Sequence, residues 1–476
     1  MCGIVLSFGA KSPAYVMHKM LNAIEHRGKD FAQIDEYETC NIGFRQLSIT
    51  DRGTKQPCKY NNTIVYLNGE IYNYKELGYS GTECDVIAKG FDREGDDFVK
   101  KLNGMFFIVV IRGTSVTVFR DRYGIKPVYY WKNDDEVVVA SEIKSILQHP
   151  DYKPSINESA KNQWLAFNNV FTDETLFNKI KKVDKASVWE IGGCYSRFWY
   201  WDFASPEKMS YEDAVYNTRE LVKQAVQRQT PSEVAAGACL SGGIDSNILV
   251  ALSGDIYTFT AGFSEGNDET SLARMGAKNH REIIYNEVRY FSETIRSLED
   301  LRVGASWSNY GLYELASKYV KVLFDGAGAD ELFGGYGWRY DMSKQYNNAI
   351  LNRTGHDCPL PESVDNLDTL ENRFKFDADH FLEGVLLVVD KLSMAHTIEA
   401  RVPFLDNDLV DFAVTIPNQW RKDKQILKDA FADILPPAIL SAPKRGFSSP
   451  DWIPGTGNQA NKWAEAALKE WQKIYL

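Results

Sequence analysis

Cys239-Leu-Ser-Gly-Gly-Ile-Asp-Ser246 decides how the second half of this 476-residue chain is read. The apolar residues 234–240 before it predict a buried strand, and residues 244–252 after it predict a helix. Strand, glycine turn and helix together present backbone N–H groups and a positive helix end to an anion. Ser241 and Ser246 add hydroxyl donors. Asp245 would repel a bare anion, so its presence calls for a cation such as Mg²⁺ between it and a phosphate. The stretch therefore predicts a pyrophosphate–Mg²⁺ loop. It holds no lysine, and G-x-x-x-x-G-K-[ST] occurs nowhere in the chain, which separates it from the loops of γ-phosphate-transferring NTPases.

Outward from the loop, strands and helices alternate. A helix is predicted over 211–229, a strand over 256–263, helices over 269–279, 291–301 and 312–319, and a strand over 320–324. Such alternation predicts an α/β doubly wound parallel sheet, with a mostly helical part after residue 340. A second glycine-rich turn, Asp325-Gly-Ala-Gly-Ala-Asp-Glu-Leu-Phe-Gly-Gly-Tyr336, follows the last strand. It can be a plain helix cap. Turns at the carboxyl ends of parallel strands also line the ligand crevice, so both turns can face one site, where Asp330 can share Mg²⁺ with Asp245.

The first half reads differently. Met1-Cys2-Gly3-Ile4 opens a short apolar strand. Loss of the initiator Met would place the Cys2 thiol beside its own α-amine, whose pKa of about 7.7–8.0 suits a general base. A buried core cysteine is the alternative. Residues 15–27 predict a helix, and 63–73 predict a strand broken at Asn68-Gly69. Asn-Gly signals a hairpin by default, although it can also supply an amide and an N–H to an oxyanion. Helices over 85–92 and 97–102 and strands over 105–111, 115–120, 127–131 and 137–140 complete an α+β unit. A polar boundary lies at 149–162, and 163–202 reads as a structured connector.

The net charge of −11 argues against nucleic acid or an anionic membrane as partner. Seven cysteines without C-x-x-C fit a reducing cytoplasm, and seven histidines lack zinc-ligand spacing. No positively charged leader precedes an apolar segment, and the apolar runs 105–111 and 385–389 fall far short of the ~20 residues that span a membrane.

From Met1 to Phe447 the chain resembles the glutamine-dependent asparagine synthetases. The stretches that carry this are Cys2-Gly3-Ile4, His26-Arg-Gly28, Leu47-Ser-Ile49, Asn68-Gly-Glu-Ile-Tyr-Asn73, Arg120-Asp-Arg-Tyr-Gly-Ile-Lys-Pro127 and Ala140-Ser-Glu-Ile-Lys144. In the second half they are Ser241 to Ser246, Gly328-Ala-Asp-Glu-Leu-Phe-Gly-Gly-Tyr336, Leu392-Ser-Met-Ala-His396, Glu399-Ala-Arg-Val-Pro-Phe-Leu-Asp406 and Lys444-Arg-Gly-Phe447. The resemblance implies a class II glutamine amidotransferase domain at 2–150, with stacked antiparallel sheets between helices as in N-terminal-nucleophile hydrolases. It implies a connector at 151–205 and an ATP-pyrophosphatase domain at 206–476. It also implies cytoplasmic asparagine biosynthesis from glutamine, ATP with Mg²⁺, and aspartate, and it keeps a homodimer open.

Carried over, Cys2 attacks the glutamine amide while Asn68 and Gly69 hold the oxyanion. Arg45, Gln46, Asn68, Glu70 and Glu83 are the glutamine-binding candidates. The ATP and pyrophosphate candidates are Leu240, Ser241, Gly242, Gly243, Asp245, Ser246, Gly262, Asp325 and Gly326, with Asp245 and Asp330 on the metal and Lys444 at the reacting centre. Ammonia then passes through the interior between the domains and displaces AMP.

Three departures stand out. Gln46 occupies the place of the family's arginine for the glutamine α-carboxylate, and Arg45, one place earlier, faces the opposite side of a strand. Glu83 replaces the family's aspartate for the α-amine. A lost charged pair costs roughly 2–5 kcal/mol of binding, so weak glutamine use or a reshaped pocket is expected. Ala327 stands where the family has a glutamate implicated in amide formation, and 302–313 show no match to an aspartate-binding segment. A relative that activates another carboxylate is therefore a second reading. A regulatory relative without synthesis is a third, opposed by the presence of Cys2, Asn68, Ser241, Ser246, Asp330 and Lys444.

Overall fold

The computed structural model describes every residue except 1, 52, 202, 204–207, 265–269, 276, 278, 304–306, 341–355, 357, 362–366, 443–450 and 457. It divides into two compact units. The first comprises 1–161, 173–200 and 475–476; the second comprises 162–172 and 201–474.

The first unit holds twelve strands among the described residues: β1 (Cys2–Gly9), β2 (Phe31–Glu36), β3 (Cys40–Gln46), β4 (Cys58–Tyr60), β5 (Thr63–Ile71), β6 (Gly104–Arg112), β7 (Ser115–Arg120), β8 (Tyr129–Lys132), β9 (Glu136–Ala140), β10 (Lys181–Lys182), β11 (Ser187–Glu190) and β12 (Tyr195–Arg197). They form two six-stranded sheets, β10-β8-β9-β1-β3-β2 and β12-β11-β7-β6-β5-β4, with antiparallel pairing throughout. The period of two decides the layering. Phe107, Val109 and Ile111 of β6 join Ile4, Leu6, Ile42 and Phe44 in a core between the sheets. Phe106, Ile108 and Val110 point the other way, onto Ile87, Ala88 and Phe91 of the helix Glu83–Glu94. That is why β6 is apolar at nearly every position. The helix starts sharply because Thr82 and Asp85 form a reciprocal capping box.

Two expectations are corrected here. Asn68-Gly69 makes no hairpin: β5 runs straight through it, pairing Asn68 with Phe107 and Gly69 with Phe106. The helix expected over 15–27 ends at Asn22, and a 3-10 turn, Glu25–Arg27, follows. That turn carries the fully buried Arg27 inward, where its Nε donates to the Cys2 carbonyl at 3.1 Å.

A polar cluster pins β1 to β9. Glu136 Oε1 accepts from Ser7 Oγ at 2.5 Å and Ser12 Oγ at 2.6 Å, while Oε2 lies 3.1 Å from His149 Nε2. Burial would raise this carboxyl, but hydrogen bonds from His149, Ser12 and Ser7 outweigh it and lower the pKa from 4.5 to about 2. A carboxyl depressed in the folded state stabilises it above the unfolded pKa and loses that contribution as pH falls through the interval from 4.5 to about 2. Glu136→Gln is expected to cost roughly 2 kcal/mol near neutrality, discounted for partial solvation, with the gap from the parent closing as pH falls through that interval. Urea denaturation across pH checks this; a gap independent of pH would refute it.

The second unit is built on a five-stranded sheet, β13 (Ala236–Cys239), β14 (Tyr257–Phe263), β15 (His280–Tyr285), β16 (Val322–Phe324) and β17 (Glu399–Arg401). Its order is β15-β14-β13-β16-β17 and every pair is parallel. The helix Ile244–Ser253 follows β13 directly, and Tyr211–Gln229 precedes it. Leu298, Leu312, Tyr313, Ala316, Val388 and Leu392 from three helices pack on Phe259 and Leu323 of the sheet. The helix predicted over 291–301 stops at Leu298, where Glu299 turns to φ +58. The helix expected over 269–279 is found among the described residues only at Thr270–Ala273, a turn at 274–275 ends it, and the chain then forms β15, which the sequence reading missed. Among the described residues no helix is long and apolar enough to cross a membrane.

Candidate active sites

In the first unit, Cys2 begins the central strand β1 and is buried. Its backbone N–H donates to Asn68 Oδ1 at 2.9 Å, and Asn68 Nδ2 lies 3.3 Å from Ser141 Oγ. Ser141 Oγ also accepts from the Ile4 N–H at 3.0 Å. Cys2 and Asn68 are thus brought together from β1 and β5, with Ser141 steadying both. Glycine at 69 is required by geometry. Its φ is +151°, and a Cβ there would lie 1.9 Å from the Met105 carbonyl oxygen.

Behind the Cys2 carbonyl, Arg27 Nη1 pairs with Glu142 Oε1 at 2.7 Å, and His26 Nε2 and Lys144 Nζ reach the same carboxylate at 3.0 and 2.7 Å. Burial would raise Glu142, but His26, Lys144 and Arg27 outweigh it and hold the carboxyl well below the ordinary range. The stretches His26-Arg-Gly28 and Ala140-Ser-Glu-Ile-Lys144 therefore serve to hold the start of β1 in place.

Gln46 lies directly opposite Cys2 in the β1–β3 register, on the same face. Its Nε2 donates to the Thr54 carbonyl at 2.6 Å. Glu70 accepts from Thr50 Oγ1 at 2.9 Å. Glu83 accepts from the Ile71 N–H, and its own N–H donates to Asp51 at 2.7 Å. Arg45 is not part of this group. Its guanidinium donates to the Leu21 carbonyl at 3.2 Å and to Asn22 Oδ1 at 2.7 Å, over the helix Ala14–Asn22.

In the second unit the loop after β13 folds on itself. Ser246 Oγ accepts from the Ser241 N–H at 3.1 Å, Ser241 Oγ accepts from the Gly243 N–H at 3.1 Å, and Asn247 Nδ2 donates to the Ser241 and Gly243 carbonyls at 3.0 and 2.8 Å. Leu240 is held by β14, its N–H donating to the Phe259 carbonyl at 2.8 Å. Gly243 caps the helix that carries Asp245. Gly262 lies on β14, where a Cβ would come within 2.5 Å of the Thr270 methyl. Gly242 sits buried in the turn itself.

The turn after β16 lies beside this loop, since a Cβ on Gly326 would lie 3.0 Å from the Asp245 Cβ. Asp325 hangs on β17 through its N–H to the Arg401 carbonyl at 2.9 Å. Its carboxyl accepts from the Ala327 N–H at 2.9 Å and from the side chains of Cys239 and Tyr313. Burial raises its pKa, Asp245 adds to the rise, and those donors partly offset it.

Asp245 and Asp330 do converge, and the group between them is one that sequence reasoning missed. Lys424 Nζ lies 2.5 Å from Asp245 Oδ2 and 2.5 Å from Asp330 Oδ1. Burial would lower this ammonium, but the two carboxylates outweigh it and raise its pKa. Asp423 and Lys424 both take left-handed conformations, and their N–H groups donate to the Gly334 and Phe333 carbonyls at 2.9 Å each. Gly335 makes room for the arrangement, because a Cβ there would meet Asp330 Oδ1 at 1.8 Å. The buried Asp245 Oδ1 has no hydrogen-bond partner among the described residues. A bare carboxylate oxygen is of the donor type that a divalent cation takes. Lys444 lies outside the described residues.

Comparison with known proteins agrees with both halves. Residues 217–474 match the family model described as asparagine synthase, and residues 1–200 match the one described as glutamine amidotransferase domain. The chain is 27% identical to the glutamine-hydrolysing asparagine synthetase 1 of Bacillus subtilis (strain 168), over 99% of this chain and 90% of that protein. It is 28% identical to asparagine synthetase 3 of the same organism, over 90% of this chain and 83% of that protein.

Proposed function

The chain belongs to the asparagine synthase family, and from that premise we propose that it is a glutamine-hydrolysing, ATP-dependent asparagine synthetase. The observation that carries the reading is the pairing of two sites in one chain: Cys2 against Asn68 in the first unit, and the Ser241–Ser246 turn beside Asp330 in the second.

In the first site, the Cys2 thiolate attacks the side-chain carbonyl of glutamine. Removal of Met1 frees the Cys2 amine as base, and Asn68 Oδ1, 2.9 Å from that nitrogen, orients it. The C–N bond breaks, ammonia leaves with the transferred proton, and water cleaves the thioester to glutamate. Asn68 and Gly69 stabilise the oxyanion.

In the second site, an oxygen of the acceptor carboxylate attacks the α-phosphorus of ATP and the bond to pyrophosphate breaks. The Ser241 and Gly243 N–H groups are spent inside the loop, so the N–H groups at the start of the helix Ile244–Ser253 and the Lys424 ammonium receive the departing negative charge. Asp245 and Asp330 would hold Mg²⁺, whose charge neutralises pyrophosphate. Ammonia then attacks the acyl carbonyl, the bond to AMP breaks, and the nitrogen sheds a proton. Lys444 and the Asp325 and Gly326 turn complete the proposed ATP site.

Ala327 favours a second reading, in which the acceptor is a carboxylate other than aspartate. The nearest carboxyl, Asp325, is engaged by Cys239 and Tyr313. One assay separates the readings: AMP and pyrophosphate release from MgATP with aspartate or other carboxylates, supplied with ammonium or glutamine. Asparagine with stoichiometric AMP is expected. AMP release only with another acceptor supports the second reading, and no nucleotide turnover with any acceptor refutes both.

A further inference from the structure

Lys424 stands where a divalent cation bridging Asp245 and Asp330 would have to go. Its Nζ lies 2.5 Å from Asp245 Oδ2 and 2.5 Å from Asp330 Oδ1. An ion bridging the same two oxygens needs about 2.0–2.1 Å to each, so it competes with the ammonium for space and for lone pairs. At such range the two cations also repel each other strongly. The lysine is built into this place. It is buried, its N–H and that of Asp423 are fastened to the Phe333 and Gly334 carbonyls, and its Cε passes over Gly335, where a Cβ would lie 2.5 Å away.

The side chains alone offer a free metal ion few ligands. Among the described residues, no group of three or more His, Cys, Asp or Glu side chains is placed to hold one. Mg²⁺ bound by one or two carboxylates takes its remaining ligands from water and substrate phosphates. A polyphosphate therefore changes both sides of the competition. Its oxygens supply ligands to the ion, and its negative charge gives the Lys424 ammonium another partner. Asp245 Oδ1 is bare, so an arriving nucleotide-bound ion meets one carboxylate oxygen before the lysine moves.

We propose that Lys424 is the resident counter-ion of the Asp245–Asp330 pair and keeps free divalent metal out, so that the ion enters only with nucleotide, as Lys424 transfers from carboxylate to phosphate. When pyrophosphate leaves, the lysine returns to the carboxylates and the ion departs with the product. The inference rests on the reading of Asp245 and Asp330 as the metal carboxylates, and adds the order in which the ion is bound and released.

The test is Mn²⁺ binding to the intact protein, read by electron paramagnetic resonance and by water-proton relaxation. It is run with and without α,β-methylene-ATP, whose α–β bridge is not cleaved. Without nucleotide, the unaltered protein is expected to bind Mn²⁺ with a Kd above about 0.5 mM, and Lys424→Met at least about tenfold more tightly. With the nucleotide analogue, relaxation enhancement is expected in the unaltered protein and is lost in Asp330→Asn. A nucleotide-free Kd below about 0.5 mM in the unaltered protein, for binding that Asp330→Asn abolishes, overturns the proposal and leaves the metal reading standing. That comparison needs no lysine variant, so it decides the matter even if Lys424→Met fails to fold. A folded Lys424→Met that binds Mn²⁺ no more tightly than the parent also overturns the proposal. Absence of any Asp330-dependent Mn²⁺ binding, with or without nucleotide, overturns both the proposal and the metal reading.

Discussion

Cys2→Ala is expected to lower glutamine-driven asparagine formation by at least about a thousandfold and to leave ammonium-driven formation within about twofold of the parent. The asymmetry follows from chemistry. Alanine offers no thiolate, and nothing else at the start of β1 can carry the acyl group. The change removes one sulfur from a buried site and keeps the 2.9 Å bond from the residue 2 N–H to Asn68 Oδ1, so the first unit should fold. Intact mass adds an independent check: active parent protein should lack Met1, since an acylated nitrogen cannot act as base. Retention of Met1 on active protein, or glutamine-driven synthesis by the alanine variant, would refute the terminal-nucleophile mechanism.

Lys424→Met is the second large effect. Without the ammonium, Asp245 and Asp330 face each other in a buried setting, and breaking such a pair costs about 3–5 kcal/mol. One carboxyl should respond by taking a proton, its pKa raised by the other. A group whose folded pKa is raised stabilises the fold at low pH and loses that contribution as pH rises, so the variant's thermal deficit should shrink on acidification. It should shrink again when Mg²⁺ is added, because a divalent ion replaces the lost charge. AMP formation should fall by roughly 10²–10³ with ammonium and glutamine alike, since the departing pyrophosphate loses a positive partner. Thermal unfolding across pH with and without Mg²⁺, and AMP release, check the two halves. Unchanged AMP release would remove Lys424 from the site.

Much of this site was legible because its determinants are local. The turn 241–246 reads directly from glycine spacing between an apolar run and a helix, and β13 and the helix Ile244–Ser253 fall where that pattern puts them. Cys2 by its position alone allowed two readings, nucleophile or buried core cysteine, and the stretches shared with the family chose between them. Lys424 was not. Nothing in Asp423-Lys-Gln-Ile marks it, and its direction comes from two consecutive left-handed residues fastened to the 333–334 backbone, a tertiary fact. The strand β17 was invisible for a related reason. Glu399-Ala-Arg401 looks solvated, yet it is buried, because Arg401 Nε meets Glu399 Oε1 at 2.6 Å and Arg401 Nη1 meets the Gln229 carbonyl at 2.7 Å. Asn68-Gly69 misled in the opposite direction. The local signal for a turn was real, but long pairing with β6 on both sides overrode it and turned glycine's freedom to another use.

The parallel sheet of the second unit has a kinetic consequence. Val322 in β16 pairs with Ala236 in β13 and with Glu399 in β17, and two of these three strands are only three residues long. Each pairing joins stretches far apart in the chain, so loop closure must be achieved before the short ladders return any stabilisation. The second unit should therefore fold slowly for its size. Asp325, fastened to Arg401 on the edge strand, should gain its protection from hydrogen exchange late in refolding and lose it early in denaturant.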